Sequence, residues 1–134
     1  MTWLWVQKTG QMFHNGDLLG TGYAGRYGGK NNPAMQDIKM TGPLPCGIYR
    51  IGDAYTHPHL GPLAMNLTPD AANQMFGRDS FRIHADSVDN PGMASEGCIV
   101  LNHGYRQAIA DAVAQGDRAL EVVADYIPQA QEAP

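Results

Sequence analysis

The sequence is poor in cysteine, in long apolar runs and in positive charge, and each shortage excludes a class of protein. Two cysteines in 134 residues cannot make the dense disulfide framework of a small secreted scaffold, and a chain of this length can bury a core without one. No stretch approaches the roughly 20 apolar residues of a membrane-spanning helix. Nine Lys and Arg residues against 13 Asp and Glu give a net charge of −4, which offers no attraction for a phosphate backbone. We therefore expect neither a membrane nor a nucleic acid as a partner.

The N-terminal stretch, MTWLWVQKTG, also lacks the features of a secretion signal. It has no basic flank, no apolar segment of signal-peptide length and no small-residue cleavage site. If the protein acts outside the cytoplasm, we expect it to be secreted without a signal peptide.

Glycine and proline are plentiful, and 16 Gly with 9 Pro favour short strands joined by turns. Residues 3–8 and 11–14 alternate in polarity around a Thr9-Gly10 turn, and Asn15-Gly16 is a strong hairpin signal. Residues 20–33, GTGYAGRYGGKNNP, are predicted to form a loop. Further elements are predicted as strands within residues 42–55, 63–67, 80–84 and 119–125, and as a helical turn over residues 71–76.

Only one segment has sustained helical spacing. Apolar side chains recur every three or four positions over residues 104–115, with Asn102 as the N-cap and Gly116 as the stop. The sequence thus predicts a mainly β (α+β) fold with one principal helix. We expect a single domain over residues 1–127, followed by a flexible tail over residues 128–134.

A histidine and a cysteine are placed so that they could act together in RIHADSVDNPGMASEGCIVLN, residues 82–102. Strand alternation turns Phe81 and Ile83 towards the core, so His84 emerges on the opposite face at the strand end. Cys98 follows Gly97 in a tight turn, where backbone N–H groups can stabilise a thiolate or hold an oxyanion. His84 would then accept the thiol proton. The alternative is that Cys98 is a core residue and His84 a hydrogen-bonded surface group.

The second cysteine, Cys46, leaves two interpretations open. A Cys46–Cys98 disulfide would close a long loop and stabilise a secreted domain. Alternatively, Cys46 is a small buried hydrophobic residue, as free cysteines often are.

The segment from His84 to Leu101 resembles the signature of L,D-transpeptidase catalytic domains, in which His, a loop, and then Ser or Thr, His, Gly and Cys form the active site. Residues 42–51, GPLPCGIYRI, are similar to the turn and strand that this family places upstream. The resemblance is closer to the compact type VI secretion L,D-transpeptidase-like antibacterial effectors, which carry a Ser-x-Gly-Cys-Ile segment. Two positions depart from the family pattern, because Glu96 replaces the second histidine and Val100 replaces an arginine.

The resemblance implies an L,D-transpeptidase-like β-sandwich or barrel and a cysteine enzyme without metal or cofactor. Its substrate would be the stem peptide of peptidoglycan, cut between the third-position diamino acid and D-alanine. Cys98 would be the nucleophile and His84 the base, while the amides of Gly97 and Cys98 would hold the oxyanion. Ser95 is the favoured group to orient His84, with Asp86, Asp89 and backbone carbonyl groups as alternatives. Water as acceptor gives an L,D-carboxypeptidase and an amine gives an L,D-transpeptidase, and the sequence does not choose between them.

The same resemblance implies a biological setting. The protein would be a toxin that acts in the periplasm of a target cell, with a secretion apparatus and a cognate immunity protein as partners. A non-catalytic peptidoglycan-binding or structural module with the same fold is the alternative.

Several other side chains are candidates for binding. Arg82, which shares the outward face with His84, and Tyr23 and Arg26 on the glycine-rich loop are predicted to contact the substrate. His57 and His59 flank a proline, but no third and fourth ligand follows at metal-binding spacing. His103 is a second choice for the base.

Overall fold

The computed structural model describes residues 3–126 and gives the mainly β fold that the sequence predicts. The predicted tail, residues 128–134, lies outside the described residues. The strands are β1 Trp3–Val6, β2 Gln11–His14, β3 Asp17–Thr21, β4 Tyr23–Ala24, β5 Gly47–Ile51, β6 Tyr55–His57, β7 Gly61–Pro69, β8 Arg82–His84, β9 Ile99–Val100 and β10 Ala119–Val123. The helix α1 is His103–Ala114, and two 3-10 turns are Tyr27–Gly29 and Pro33–Met35.

The first two predicted turns form hairpins. β1 pairs with β2 around Gly10, and β2 pairs with β3 around Asn15 and Gly16. Asn15 has φ +50° and Gly16 has φ +88°, as two-residue hairpin turns of the primed type require. Local turn chemistry therefore fixes this end of the sheet.

The ten strands form one sheet that curls into an almost closed barrel. Its order is β3-β2-β1-β10-β5-β7-β8-β9-β4, with β6 paired to β7. Neighbours are antiparallel except for the parallel pairs β1–β10 and β8–β9. The two ends of this order, β3 and β4, are separated along the chain only by Gly22, where an added Cβ would collide with the carbonyl oxygen of Val100. Glycine is needed at this seam because the backbones approach too closely for a side chain.

The core fills the interior of the curled sheet and continues beneath the helix. Its largest fully buried side chains include Trp3, Trp5, Met12, Tyr49, Ile51, Met65, Ile83 and Ile99. Ile109 and Val113 bury the inner face of α1. The helix starts and stops close to where the sequence predicts, because Asn102 Oδ1 accepts a hydrogen bond from Tyr105 N at 3.0 Å and Gly116 adopts φ +97° just beyond its end.

Two local predictions need correction. Residues 71–76 form turns rather than a helical turn, because Asp70 Oδ1 caps Ala72 N and the Asn73 side chain bonds the backbone of Ile48. Such side-chain bonds compete with helical ones. The predicted loop at residues 20–33 contains the short strand β4, which forms by pairing with the distant strand β9.

The parallel pairing of β8 with β9 positions the His–Cys segment. Ile83 lies opposite Ile99, and His84 lies opposite Val100. Since partner residues on neighbouring strands point to the same face, His84 and the residue just before β9, Cys98, face the same side. Two residues that are 14 positions apart in the sequence are thus brought to the same side of neighbouring strands.

Candidate active site

A cavity of about 530 Å³ opens on the outer face of β8 and the turn before β9. His84 and Cys98 both line it, together with His57, Arg78, Phe81 and Arg82. Cys98 is half-buried, and His84 is only 2% exposed. The structure therefore brings the predicted nucleophile and base to one cavity, with the sulfur neither sealed in the core nor fully exposed.

The sulfur of Cys98 lies against the backbone of β8. Arg82 N donates a hydrogen bond to Cys98 Sγ at 3.3 Å. Ile83, next to Arg82, points the other way into the core, whereas Phe81 packs against the core and also forms part of the cavity wall. The alternation read from the sequence is thus what turns the functional face of this strand outwards.

The tautomer of His84 suits a base. Its Nδ1 lies 2.7 Å from the carbonyl oxygen of Ala85, and because a carbonyl only accepts, Nδ1 carries the proton. Burial lowers the pKa of His84, and the positive charges of Arg106 and Arg82 lower it further, against the hydrogen bond to Ala85. The imidazole is therefore neutral at pH 7, with the lone pair on Nε2.

The thiol of Cys98 is held in its protonated form at rest. Burial raises its pKa, and Glu96 adds to this, while the Arg82 amide and the Arg82 and Arg78 charges oppose it. A thiol with a raised pKa and a neutral imidazole do not form an ion pair at rest. A reaction at Cys98 would therefore need a base to remove the thiol proton.

Ser95 does not orient His84, which corrects the sequence prediction. Its fully buried hydroxyl donates to Cys98 O at 2.6 Å and accepts from Gly25 N at 2.8 Å and Gly97 N at 3.0 Å. Ser95 therefore stabilises the turn that carries the cysteine, and the backbone carbonyl of Ala85 holds the imidazole. Because Gly97 N is engaged by Ser95, it is also not the free oxyanion donor that the sequence suggested.

Replacing Ser95 by Ala is expected to destabilise the fold by about 2–3 kcal/mol, since buried backbone groups lose their partner. Urea unfolding would measure the loss, with Ser87→Ala as a control because Ser87 Oγ accepts only one exposed bond, from Asn90 N. If Ser95 instead oriented His84, the pH dependence of Cys98 alkylation would shift while the stability remained unchanged.

Gly97 is required by its surroundings. Its φ is +141°, and an added Cβ would lie 2.6 Å from Arg78 Nη2 and 2.7 Å from Phe81 Cε1. Both the backbone conformation and the close packing therefore exclude a side chain immediately before Cys98.

Arg78 is a site residue that the sequence reasoning missed. Its buried guanidinium donates to four carbonyl oxygens, namely Gln36 at 2.6 Å, Pro43 at 2.8 Å, Gly42 at 2.9 Å and Glu96 at 3.1 Å. It also stacks over the Phe81 ring, 5.1 Å from its centroid. Arg78 thereby joins the loop around residues 36–43, a cavity wall, to the turn before Cys98. Nothing in the local sequence GRDS distinguishes it from a surface arginine.

The three predicted substrate contacts lie in different places. Arg82 lines the cavity, and its Nε donates to Tyr55 Oη at 3.0 Å. Tyr23 and Arg26 do not line it, and their contact with a substrate stays a prediction. The Tyr23 hydroxyl donates to Asp86 Oδ1 at 2.5 Å and accepts from Ala94 N, so it fixes the loop between β8 and β9. Arg26 pairs with Glu96 at 3.5 Å and lines a neighbouring cavity.

The structure also places His103, His57 and the two cysteines. His103 is exposed at the start of α1 and does not line the cavity, whereas His57 lines it. No cluster of three or more metal-ligating side chains occurs within residues 3–126. Both cysteines are free, so the disulfide alternative is wrong, and Cys46 Sγ bonds Gln7 Oε1 at 3.3 Å.

Comparison with family models gives a match over most of the chain. The model described as the Tlde1 domain matches residues 20–124, a range that includes both His84 and Cys98. The chain belongs to the Tlde1 domain family. Tlde1 domains form a type VI secretion effector family, as the resemblance implied at this coarser level. Comparisons with curated proteins and with solved structures found no significant match.

The Tlde1 match begins in the last residues of β3 and ends just after β10. It thus contains every strand that builds the cavity and the helix that follows. Among the residues that the structure describes, no helix is long and apolar enough to cross a membrane.

Proposed function

We propose that the protein is a cysteine enzyme that cleaves the bond between the third-position diamino acid and D-alanine in peptidoglycan stem peptides. The observation that carries this proposal is the shared cavity of His84 and Cys98, with the His84 tautomer fixed by Ala85 O. The resemblance to L,D-transpeptidase-like effectors supplies the substrate class. Membership of the Tlde1 domain family supports a role as an antibacterial effector.

In the proposed reaction, Cys98 Sγ adds to the carbonyl carbon of the diamino acid while His84 Nε2 takes the thiol proton. The carbonyl π electrons move to oxygen and form a tetrahedral oxyanion. When this intermediate collapses, the C–N bond breaks and His84 returns the proton to the amine of D-alanine. A thioester remains on Cys98. Water releases the shortened stem as an acid, whereas an amine forms a new peptide bond, and either path regenerates the thiol.

The charge of the cavity fits an anionic peptide. Arg82 lines it beside the reacting pair, and the Tyr55 hydroxyl holds its guanidinium in place. Lys39 and Arg78 also line it, against Asp79 and Glu96 as the acidic groups. Since stem peptides carry carboxylates, Arg82 is the proposed anchor for one of them.

The proposed setting is the periplasm of a target cell, which the protein would reach through a type VI secretion apparatus. A producing cell would then need an immunity protein to cover the cavity. Both partners are part of the proposal and follow from the family resemblance.

Incubation of the purified protein with disaccharide tetrapeptides tests the activity. We expect the mass spectrum to show loss of one D-alanine, or its exchange when another D-amino acid is added. Cys46→Ala is the matched control and should retain the activity, because Cys46 does not line the cavity. Unchanged stems that still bind the protein would favour the non-catalytic module, and released glycan fragments would contradict the proposed bond.

A further inference from the structure

His57, at the end of β6, has a fixed tautomer. The backbone N–H groups of His59 and Leu60 both donate to His57 Nδ1, at 3.0 and 3.2 Å. A ring nitrogen that accepts these bonds carries no proton, so the proton of the neutral ring is on Nε2. His57 therefore has the opposite tautomer to His84: it is a donor through Nε2, where His84 is an acceptor.

His57 lines the same cavity as His84 and Cys98. Tyr55 lies opposite Ala64 on β7, and the pairing of β7 with β8 places Ala64 beside His84. The register shifts between Tyr55 and His57, which lies opposite Gly61, so the placement of His57 follows from its position in the cavity wall. Side chains of β6 do reach those of β8, because Tyr55 Oη accepts a bond from Arg82 Nε at 3.0 Å.

Two further observations connect His57 with the reaction. Both His57 and His84 line the cavity, so a carbonyl group bound there can meet both rings. The amide of Gly97 donates to Ser95 Oγ, which removes one predicted donor to the oxyanion. The Cys98 amide remains as a predicted donor, and a donor in the cavity wall can replace the one that is engaged.

We propose that His57 is a further catalytic residue, whose Nε2–H donates a hydrogen bond to the oxyanion formed when Cys98 Sγ adds to a carbonyl group. The proton stays on His57 throughout, while His84 takes and returns the thiol proton. For stem peptides this inference rests on the proposed function. The donor role itself applies to any carbonyl compound that acylates Cys98.

The test compares two reagents on Cys98 in a Cys46→Ala background. Iodoacetamide alkylates sulfur by direct displacement and forms no oxyanion, whereas 4-nitrophenyl acetate acylates it through one. In His57→Asn, the shorter amide can still accept the His59 and Leu60 N–H bonds but offers no donor at the Nε2 position. We expect acylation to slow about 100-fold and alkylation to change less than about twofold.

Two control variants sharpen the comparison. His57→Gln places an amide N–H close to the Nε2 position and should restore most of the acylation rate. His59→Asn changes an exposed ring of the same loop that does not line this cavity, and should leave both rates unchanged. Thermal melting of each variant shows whether the loop remains folded.

The outcomes separate this inference from the proposed function. A slowdown of both reagents by the same factor would mean that His57 acts on the thiol or on packing, and would overturn the proposal. Unchanged acylation in His57→Asn, or no recovery in His57→Gln, would also overturn it. Selective loss of acylation would sustain the donor role even if tetrapeptides proved not to be substrates.

Discussion

His84→Gln is expected to lower the rate of D-alanine release about 1,000-fold or more, and Cys98→Ser at least as much. The Gln amide cannot accept a proton, and a serine hydroxyl is a far weaker nucleophile than a cysteine sulfur. Release of D-alanine from tetrapeptide stems, followed by mass, measures both effects. His103→Gln is the matched control for the first, because His103 is exposed and away from the cavity.

The pH dependence of Cys98 alkylation is a second test of whether His84 acts as the base for Cys98. Since burial lowers the pKa of His84, the base is lost only as the pH falls through that lowered value, which lies below about 6.5. In His84→Gln, the raised pKa of Cys98 governs the reaction instead. Its alkylation should therefore be slow at pH 7 and rise steadily above about pH 8.5. Equal rates in both proteins at pH 7 would exclude His84 as the base.

Arg78→Met is expected to reduce the free energy of unfolding by about 3–4 kcal/mol, because four carbonyl oxygens lose a charged donor. Urea unfolding would measure the loss. Arg50→Met is the matched control, since Arg50 is exposed on β5. Arg78→Lys should recover only part of the stability, because one ammonium cannot reproduce the planar fork of a guanidinium.

Arg78→Met should also lower the reactivity of Cys98. Arg78 fixes Glu96 O, two residues before the sulfur, and its charge favours the thiolate. Alkylation of Cys98 in Arg78→Met should therefore slow even under conditions where the protein remains folded. A loss below about 1 kcal/mol together with unchanged alkylation would show that the buried guanidinium has no structural role.

The sequence predicted those features that depend on neighbouring residues. Asn15-Gly16 supplied the positive φ of a hairpin, Asn102 supplied the helix cap, and the alternation around Ile83 separated core from cavity. Each of these signals acts within a few residues, so it can be read without knowledge of the fold.

The features that escaped prediction depend on contacts between distant residues. Arg78 and Glu96 are 18 positions apart, and Ser95 bonds the amide of Gly25 from 70 positions away. A serine in a Gly-containing motif fits a catalytic role or a turn role equally well, and only the fold determines which partner lies within reach. The tautomer of His57 likewise depends on two backbone amides that no residue pattern reveals.

Strand β10 is the last strand of the described chain, yet it lies in the middle of the sheet between β1 and β5. During synthesis on the ribosome, the earlier strands therefore cannot complete the sheet until residues 119–123 have emerged. Such non-local pairing is typical of slow folding. The cavity that holds His84 and Cys98 would consequently be absent from nascent chains that lack residues 119–123.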